Sequence, residues 1–255
     1  RYNTDSNKME VWIGDKWMIV SVSSPNLDGG GRGLAAGGNN PGQTDTIQYI
    51  TIPTQGNAID FGNLTAARQA IPGGTGSSTR GIIGGGQEFP ATVNKIDFIT
   101  FSSTSNAQDF GDLSVARRQP ATTGSQTRGV FSGGEAPSHV NVIDFVTIAA
   151  TGNAVDYGDL TTARRIAGAA ASPTRALIMG GFASPAYLNS IEFLTISTTG
   201  NGQDFGDLTV DRYTPNGSVS SSTRAVLMGG YKASPGAAVN TIDYVTIATL
   251  GNAMN

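Results

Sequence analysis

One fragment recurs five times along the chain, and no other feature limits the fold so tightly. Arg80-Gly81-Ile82-Ile83-Gly84-Gly85-Gly86 returns as Arg128-Gly129-Val130-Phe131-Ser132-Gly133-Gly134, again at 175–181 and 224–230, and in a degenerate first copy at 32–38. The leading arginines, Arg32, Arg80, Arg128, Arg175 and Arg224, stand 48, 48, 47 and 49 residues apart. A second element, Asn94-Lys95-Ile96-Asp97-Phe98-Ile99-Thr100, repeats at 141–147, 189–195 and 240–246. Its first copy, 45–51, carries Asp45 for the asparagine and Gln48 for the acid. A third element, Asp109-Phe110-Gly111-Asp112-Leu113, repeats at 60–64, 156–160 and 204–208, its aromatic always 12 residues after that of the second element.

Each repeat reads as four strands. In the fourth, strand a is the small-residue stretch 166–171, strand b is 175–179, strand c is 189–197 and strand d runs through Gln203-Asp204-Phe205. Strand c alternates Ile191, Phe193 and Thr195 with Glu192, Leu194 and Ile196, the period of two that marks a strand. Both of its faces carry apolar residues, so each sheet is expected between two neighbours. Thr-Gly-Asn at 151–153 and 199–201 supplies turn chemistry between strands c and d. No stretch holds a helical period. Five such units predict an all-β chain, a five-bladed β-propeller with four antiparallel strands per blade.

The blades are expected at about 21–67, 68–116, 117–163, 164–211 and 212–255, in one domain. Twelve residues after Tyr244 falls beyond Asn255, so the last repeat lacks its d strand, while Trp12-Ile13-Gly14-Asp15 matches Asp-Phe-Gly-Asp in register. Residues 9–15 are therefore expected to close blade five, leaving no open sheet edge. Residues 1–20 form an N-terminal hairpin that contains this strand. A first residue of Arg rather than Met is what a processed or excised product shows.

Composition narrows the function classes. Cysteine is absent, which excludes disulfides, a thiol nucleophile and thiolate metal sites. With a net charge of −3, no broad grip on nucleic acid is expected. No apolar run approaches the ~20 residues that span a bilayer, so membrane insertion is not expected either.

Candidate chemistry falls into repeated and variable residues. Nine of the 16 basic residues are repeated arginines: those above, and Arg68, Arg117, Arg164 and Arg212. They could ring an anionic ligand. The preferred reading pairs them with the repeated acids Asp97, Asp144, Glu192, Asp243, Asp60, Asp109, Asp156 and Asp204, because residues present in every blade serve what every blade must do, which is to pack. The Asp-aromatic-Gly-Asp elements offer too few oxygens for calcium, so no metal and no cofactor is expected. Residues 73–78 are glycine-rich but lack the Lys-Ser/Thr end of a phosphate loop. His139, the one histidine, has no nucleophile elbow near it in sequence, and the acids recur too regularly to single out an unequal catalytic pair. An enzyme is not expected. What differs between repeats is the b–c loop, at 39–44, 87–93, 135–140, 182–188 and 231–239. These loops hold Glu88, Phe89, His139, Phe182, Tyr187, Tyr231 and Lys232, an aromatic and polar set suited to stacking on sugars or a protein partner.

Two resemblances add to this. The diglycine after a hydrophobic strand, the two spaced aromatics and the period near 50 residues resemble the kelch repeat, with Phe or Tyr standing where the strand d tryptophan is usual. Arg1-Tyr2-Asn3-Thr4-Asp5-Ser6-Asn7-Lys8-Met9-Glu10-Val11-Trp12, with Trp17, resembles the hairpin of tail and fibre proteins of tailed bacteriophages. Ile-Asp-Tyr-Val-Thr-Ile-Ala and Asp-Phe-Gly-Asp-Leu-Thr are similar to repeats in virion proteins of marine phages, cyanophages especially. That resemblance implies a place on the virion exterior, in a tail, fibre or capsid decoration, or otherwise an extracellular one. The implied partners are other virion proteins and host-surface polysaccharide, with homo-oligomers allowed. A soluble lectin-type propeller and a polysaccharide-degrading enzyme are the alternatives.

Overall fold

In the computed structural model, residues 2–3, 8–19, 31–39, 41–71, 73–214, 217–232 and 236–255 are described. They contain no helix. Five antiparallel sheets stand in a ring around a central channel, as the repeat predicts. Blade two orders Gly74–Gly76, Arg80–Gly84, Lys95–Thr100 and Gln108–Asp112 from the channel outward. Blade three repeats this with Ala121–Gly124, Arg128–Ser132, Val142–Thr147 and Val155–Asp159. Blade four follows with Gly168–Ala171, Arg175–Met179, Ser190–Thr195 and Gln203–Asp207. Blade one shows strands b to d, Arg32–Asn39, Gln43–Thr51 and Ile59–Asn63, and blade five shows strands a to c, Ser218–Ser220, Arg224–Met228 and Ile242–Thr246.

The apolar residues on both faces of strand c make the core a series of layers between blades. Tyr157, Val130 and Ile143 of blade three meet Ile178, Leu194 and Ile196 of blade four, and the same positions meet at the other three junctions between consecutive blades. Each such side chain, fully buried, contributes about 1.5–3 kcal/mol.

The four junctions between consecutive blades one to five are fixed by the same polar device. Arg68, Arg117, Arg164 and Arg212, at the end of one blade, are buried against Asp97, Asp144, Glu192 and Asp243 on strand c of the next. Arg117 Nη1 lies 2.9 Å from Asp144 Oδ2. The same carboxylate accepts from the Ser114 amide at 3.0 Å and the Ser114 hydroxyl at 2.7 Å. A buried charge needs that degree of satisfaction. The asparagine of the c–d turn does more than turn: Asn153 Oδ1 accepts from the Asp112 amide of the preceding blade at 3.0 Å. Gly111, at φ 142°, lets the Gly152 carbonyl of the next blade approach, where a Cβ would lie 2.4 Å from it.

The leading arginines serve the rim opposite. Arg32, Arg80, Arg128, Arg175 and Arg224 each lie over the strand c aromatic of their own blade, at 4.5–4.8 Å from the ring centre. Four of them also donate to a backbone carbonyl of the following blade, Arg128 Nη1 to Ile196 O at 2.9 Å for example. The acids of strand d behave differently from the expectation that they pair with arginine. Asp60, Asp109, Asp156 and Asp204 lie exposed and make no arginine ion pair among the described residues.

The expected closure by residues 9–15 is not what forms. Lys8–Ile13 pairs with Tyr2–Asn3 and with Lys16–Ile19, in a sheet separate from blade five. Gly14-Asp15 makes a two-residue turn, Trp12 faces Trp17 across it, and Gly14 takes φ 66° where the strand d glycines take 141–144°. The outer position of blade five is instead reached by Met254, which exchanges two backbone hydrogen bonds with Tyr244. Between blades five and one, the repeated contacts are missing among the described residues. Gln48 is exposed in place of the buried acid, and Ile52 is 67% exposed where Ile148, Ile196 and Ile247 are buried.

Candidate functional site: an arc of paired side chains on the b–c face

Two short segments meet in each of blades two to five. The residue after each buried arginine exchanges two backbone hydrogen bonds with the residue after the diglycine: Gln69 with Gln87, Arg118 with Glu135, Arg165 with Phe182 and Tyr213 with Tyr231. The second glycine permits the turn. Gly134, at φ 113°, would place a Cβ 2.9 Å from the Arg118 carbonyl. Ala70, Gln119 and Ile166 follow with φ of 52–56°, a conformation that costs non-glycine residues energy. They are tied blade to blade, by Gln119 N–H to Ala70 O, Ile166 N–H to Gln119 O and Thr214 N–H to Ile166 O at 3.1–3.3 Å. A backbone belt therefore holds the four pairs side by side around the channel mouth.

Residues directly opposed in an antiparallel pair project on one side, so each pair presents two side chains together. Along the arc these are amide with amide, arginine with glutamate, arginine with phenylalanine, and tyrosine with tyrosine. Neighbouring pairs are joined. Arg118 grips Glu135 through Nε and Nη2 at 3.2 and 3.1 Å, and its Nη1 donates to Gln87 Oε1 at 3.3 Å. Arg165 Nη1 reaches Glu135 Oε2 at 3.0 Å and Gln119 Oε1 at 2.7 Å, with its guanidinium 5.4 Å from the centre of the Phe182 ring.

The aromatic end is continuous. Phe182 lies 5.1 Å from Tyr187, Tyr187 stacks on Tyr213 at 5.4 Å and 18°, and Tyr231 closes the group at 5.8 Å from Tyr213 and 6.4 Å from Tyr187. His139 abuts Phe182 edge to face, and its Nδ1 accepts from the Ser184 amide at 3.2 Å. Burial, then the charge of Arg165, pushes the His139 pKa down against the opposing pull of Glu135. Burial alone would raise the Glu135 pKa, but the hydrogen bonds from Arg118 and the charges of Arg165 and Arg118 carry it below the ordinary carboxylate value.

Of the residues singled out in the sequence, His139, Phe182, Tyr187 and Tyr231 come together here. Glu88 and Phe89 lie on the blade-two hairpin, Glu88 in an ion pair with Lys95 at 2.8 Å and Phe89 74% exposed. Lys232 follows Tyr231 on its two-residue strand and is half-buried. Sequence reasoning missed Tyr213, Arg118, Arg165, Glu135, Gln69 and Gln87 as site residues. The available signal was positional: each stands directly after a repeated arginine or a repeated diglycine, and each differs from blade to blade.

The channel itself, about 790 Å³, is lined by strands a of blades two to five and by strand b of blade one. Gly76, Thr122, Thr123, Ala169, Ser218 and Ser220 give it a wall of small side chains, and among the described residues Arg32 is the charged group that lines it. Compared with known proteins, the chain matches no family model and no curated sequence.

Proposed function

We propose that this propeller is a non-enzymatic surface protein of a virion, in a tail, fibre or capsid decoration, and that the arc binds host-surface glycan. The observation that carries the binding part is the Tyr187–Tyr213–Tyr231 cluster beside the Arg118–Glu135–Arg165 network. Half-buried tyrosine rings offer flat apolar faces to the C–H face of a sugar, with hydroxyls at their tips, and the ionic network beside them offers donors in fixed directions. The virion placement is supported by the resemblance of the N-terminal segment and of the repeats to phage tail and virion proteins.

A soluble lectin with one pocket per blade predicts like residues at like positions. The four pairs differ, which favours a single composite site. Most glycoside hydrolases use two carboxylates of unequal affinity for protons, and among the described residues the arc holds one, Glu135, between two arginines.

The test is a glycan array probed with the full chain and with Tyr187→Ala and Tyr231→Ala, beside gold-labelled antibody against the chain on particles from the source. Binding to a defined glycan that both substitutions weaken, with label on particles, is expected. Unchanged binding in both variants overturns the site, and particles without label overturn the virion placement.

A further inference from the structure

The arginines of the arc are not part of the repeat. The buried Arg68, Arg117, Arg164 and Arg212 each hold a blade junction, but the position after them is Gln69, Arg118, Arg165 and Tyr213 in turn. The backbone pair forms with any of these side chains, so the fold does not require arginine there. Two consecutive blades carry it nonetheless, and they share one acid, Glu135, between them.

That leaves positive charge over. Arg118 commits Nε and Nη2 to Glu135 and Nη1 to Gln87. Arg165 commits only Nη1, to Glu135 and Gln119. Its Nε is buried without a hydrogen-bond partner, and among the described residues no group bonds Nη2. The side chain lies against Phe182, which in turn meets Tyr187, so Arg165 adjoins the aromatic group. Within the arc no second carboxylate bonds either arginine among the described residues. Among the described residues at this end of the blades, Glu88 pairs with Lys95, exposed Asp211 and half-buried Lys232 are one of each sign, and Asp112, Asp159 and Asp207 stand farther out, on strands d. The arc itself thus carries two guanidinium charges against one carboxylate, on a chain of net charge −3.

We infer that the glycan taken by the arc is an acidic saccharide, whose carboxylate or sulfate is received by Arg165 while its sugar ring stacks on the tyrosines. Nη2, which no group bonds among the described residues, is left to make a charge-assisted hydrogen bond to either anion. This rests on the glycan-binding reading above and narrows its ligand class.

Equilibrium binding of the full chain to matched oligosaccharides tests it: a uronic-acid oligomer against its carboxyl-reduced neutral counterpart, and a sulfated oligomer against its desulfated parent. The acidic member of a pair is expected to bind at least about tenfold tighter, as one charge-assisted hydrogen bond confers. Its affinity is expected to fall with added salt while that of the neutral member holds. Which pair shows the preference identifies the anion. Arg165→Gln is expected to abolish the preference, bringing the affinity for the acidic member to that for its neutral counterpart, while Arg118 still holds Glu135. Equal binding within both pairs, or a preference that survives Arg165→Gln, overturns the inference and leaves the glycan-binding reading standing. Binding to none of the four oligomers overturns both. Should Arg165→Gln not fold, the salt dependence of the unaltered chain decides.

Discussion

Glu192 has one methylene more than the acid of any other blade, and Gly202 is what makes room for it. A Cβ on Gly202 would lie 2.3 Å from Glu192 Oε2. At the position of Gly202 the neighbouring blades carry Ala107, Ala154 and Ala253, and their acids are Asp97, Asp144 and Asp243. Gly202→Ala is therefore expected to destabilise the chain by about 1–3 kcal/mol, the range for forcing a methyl into a packed site. Glu192→Asp alone draws the carboxylate back from Arg164. The double variant recreates the pairing of the other blades and is expected to recover most of the loss. Denaturant unfolding of the four proteins gives the coupling energy, and strict additivity would refute the pairing.

The buried acid of blade three and the exposed acid of blade two make a second contrast. Asp144 is fully buried and accepts three hydrogen bonds or ion contacts, whereas Asp109 is exposed. Asp144→Ala strands the Arg117 guanidinium in the core and is expected to cost about 3–5 kcal/mol. Asp109→Ala is expected to stay within about 0.5 kcal/mol of the unaltered chain. Thermal unfolding of both variants checks the difference, and equal losses would mean that the buried pair is not what orders the junction.

The blades were legible because their requirements repeat. A diglycine, a strand with apolar residues on both faces and an acid in fixed register each reflect a physical need that recurs in every blade. The closure was not legible, because Trp12-Ile13-Gly14-Asp15 has the wording of strand d. Glycine is at home both at φ 66°, as in the Gly14-Asp15 turn, and near 142°, as in Gly111, so the letters cannot tell a hairpin from a strand. The arc was half legible. Phe182, Tyr187 and Tyr231 stand out in the sequence as aromatics of the variable b–c loops. Tyr213 does not, because its place in the site depends on a backbone pair between segments 18 residues apart, Tyr213 with Tyr231.

Tyr213 now yields its own prediction. Its position accepts Gln69 in an otherwise equivalent backbone pair, so Tyr213→Gln is expected to leave the thermal midpoint within a few degrees. Removing the ring takes the stacking partner from Tyr187, which it faces at 5.4 Å. Glycan affinity is expected to fall about three- to tenfold with no change in the preference for acidic over neutral oligomers. A lost preference would place the anion on the tyrosines instead of on Arg165.

Acid should loosen the arc, and His139 should open the effect. Its pKa is held down in the folded chain, first by burial and then by Arg165, so the unfolded chain takes up the proton first. Stability then falls as pH drops below about 6.5, the ordinary histidine value, until the folded pKa is reached and the loss levels off. Glu135 acts lower. Its folded pKa is depressed, so its contribution is present above the ordinary carboxylate range and is lost as pH falls through the folded value. His139 is the only histidine, which assigns the first window to it. In His139→Asn the side-chain oxygen keeps an acceptor for the Ser184 amide but binds no proton. Hydrogen exchange at Ser184 and Phe182 between pH 7 and pH 5 is expected to show progressive deprotection, after correction for intrinsic rates, in the unaltered chain and not in His139→Asn. Equal deprotection in both would show that acid acts elsewhere in the propeller.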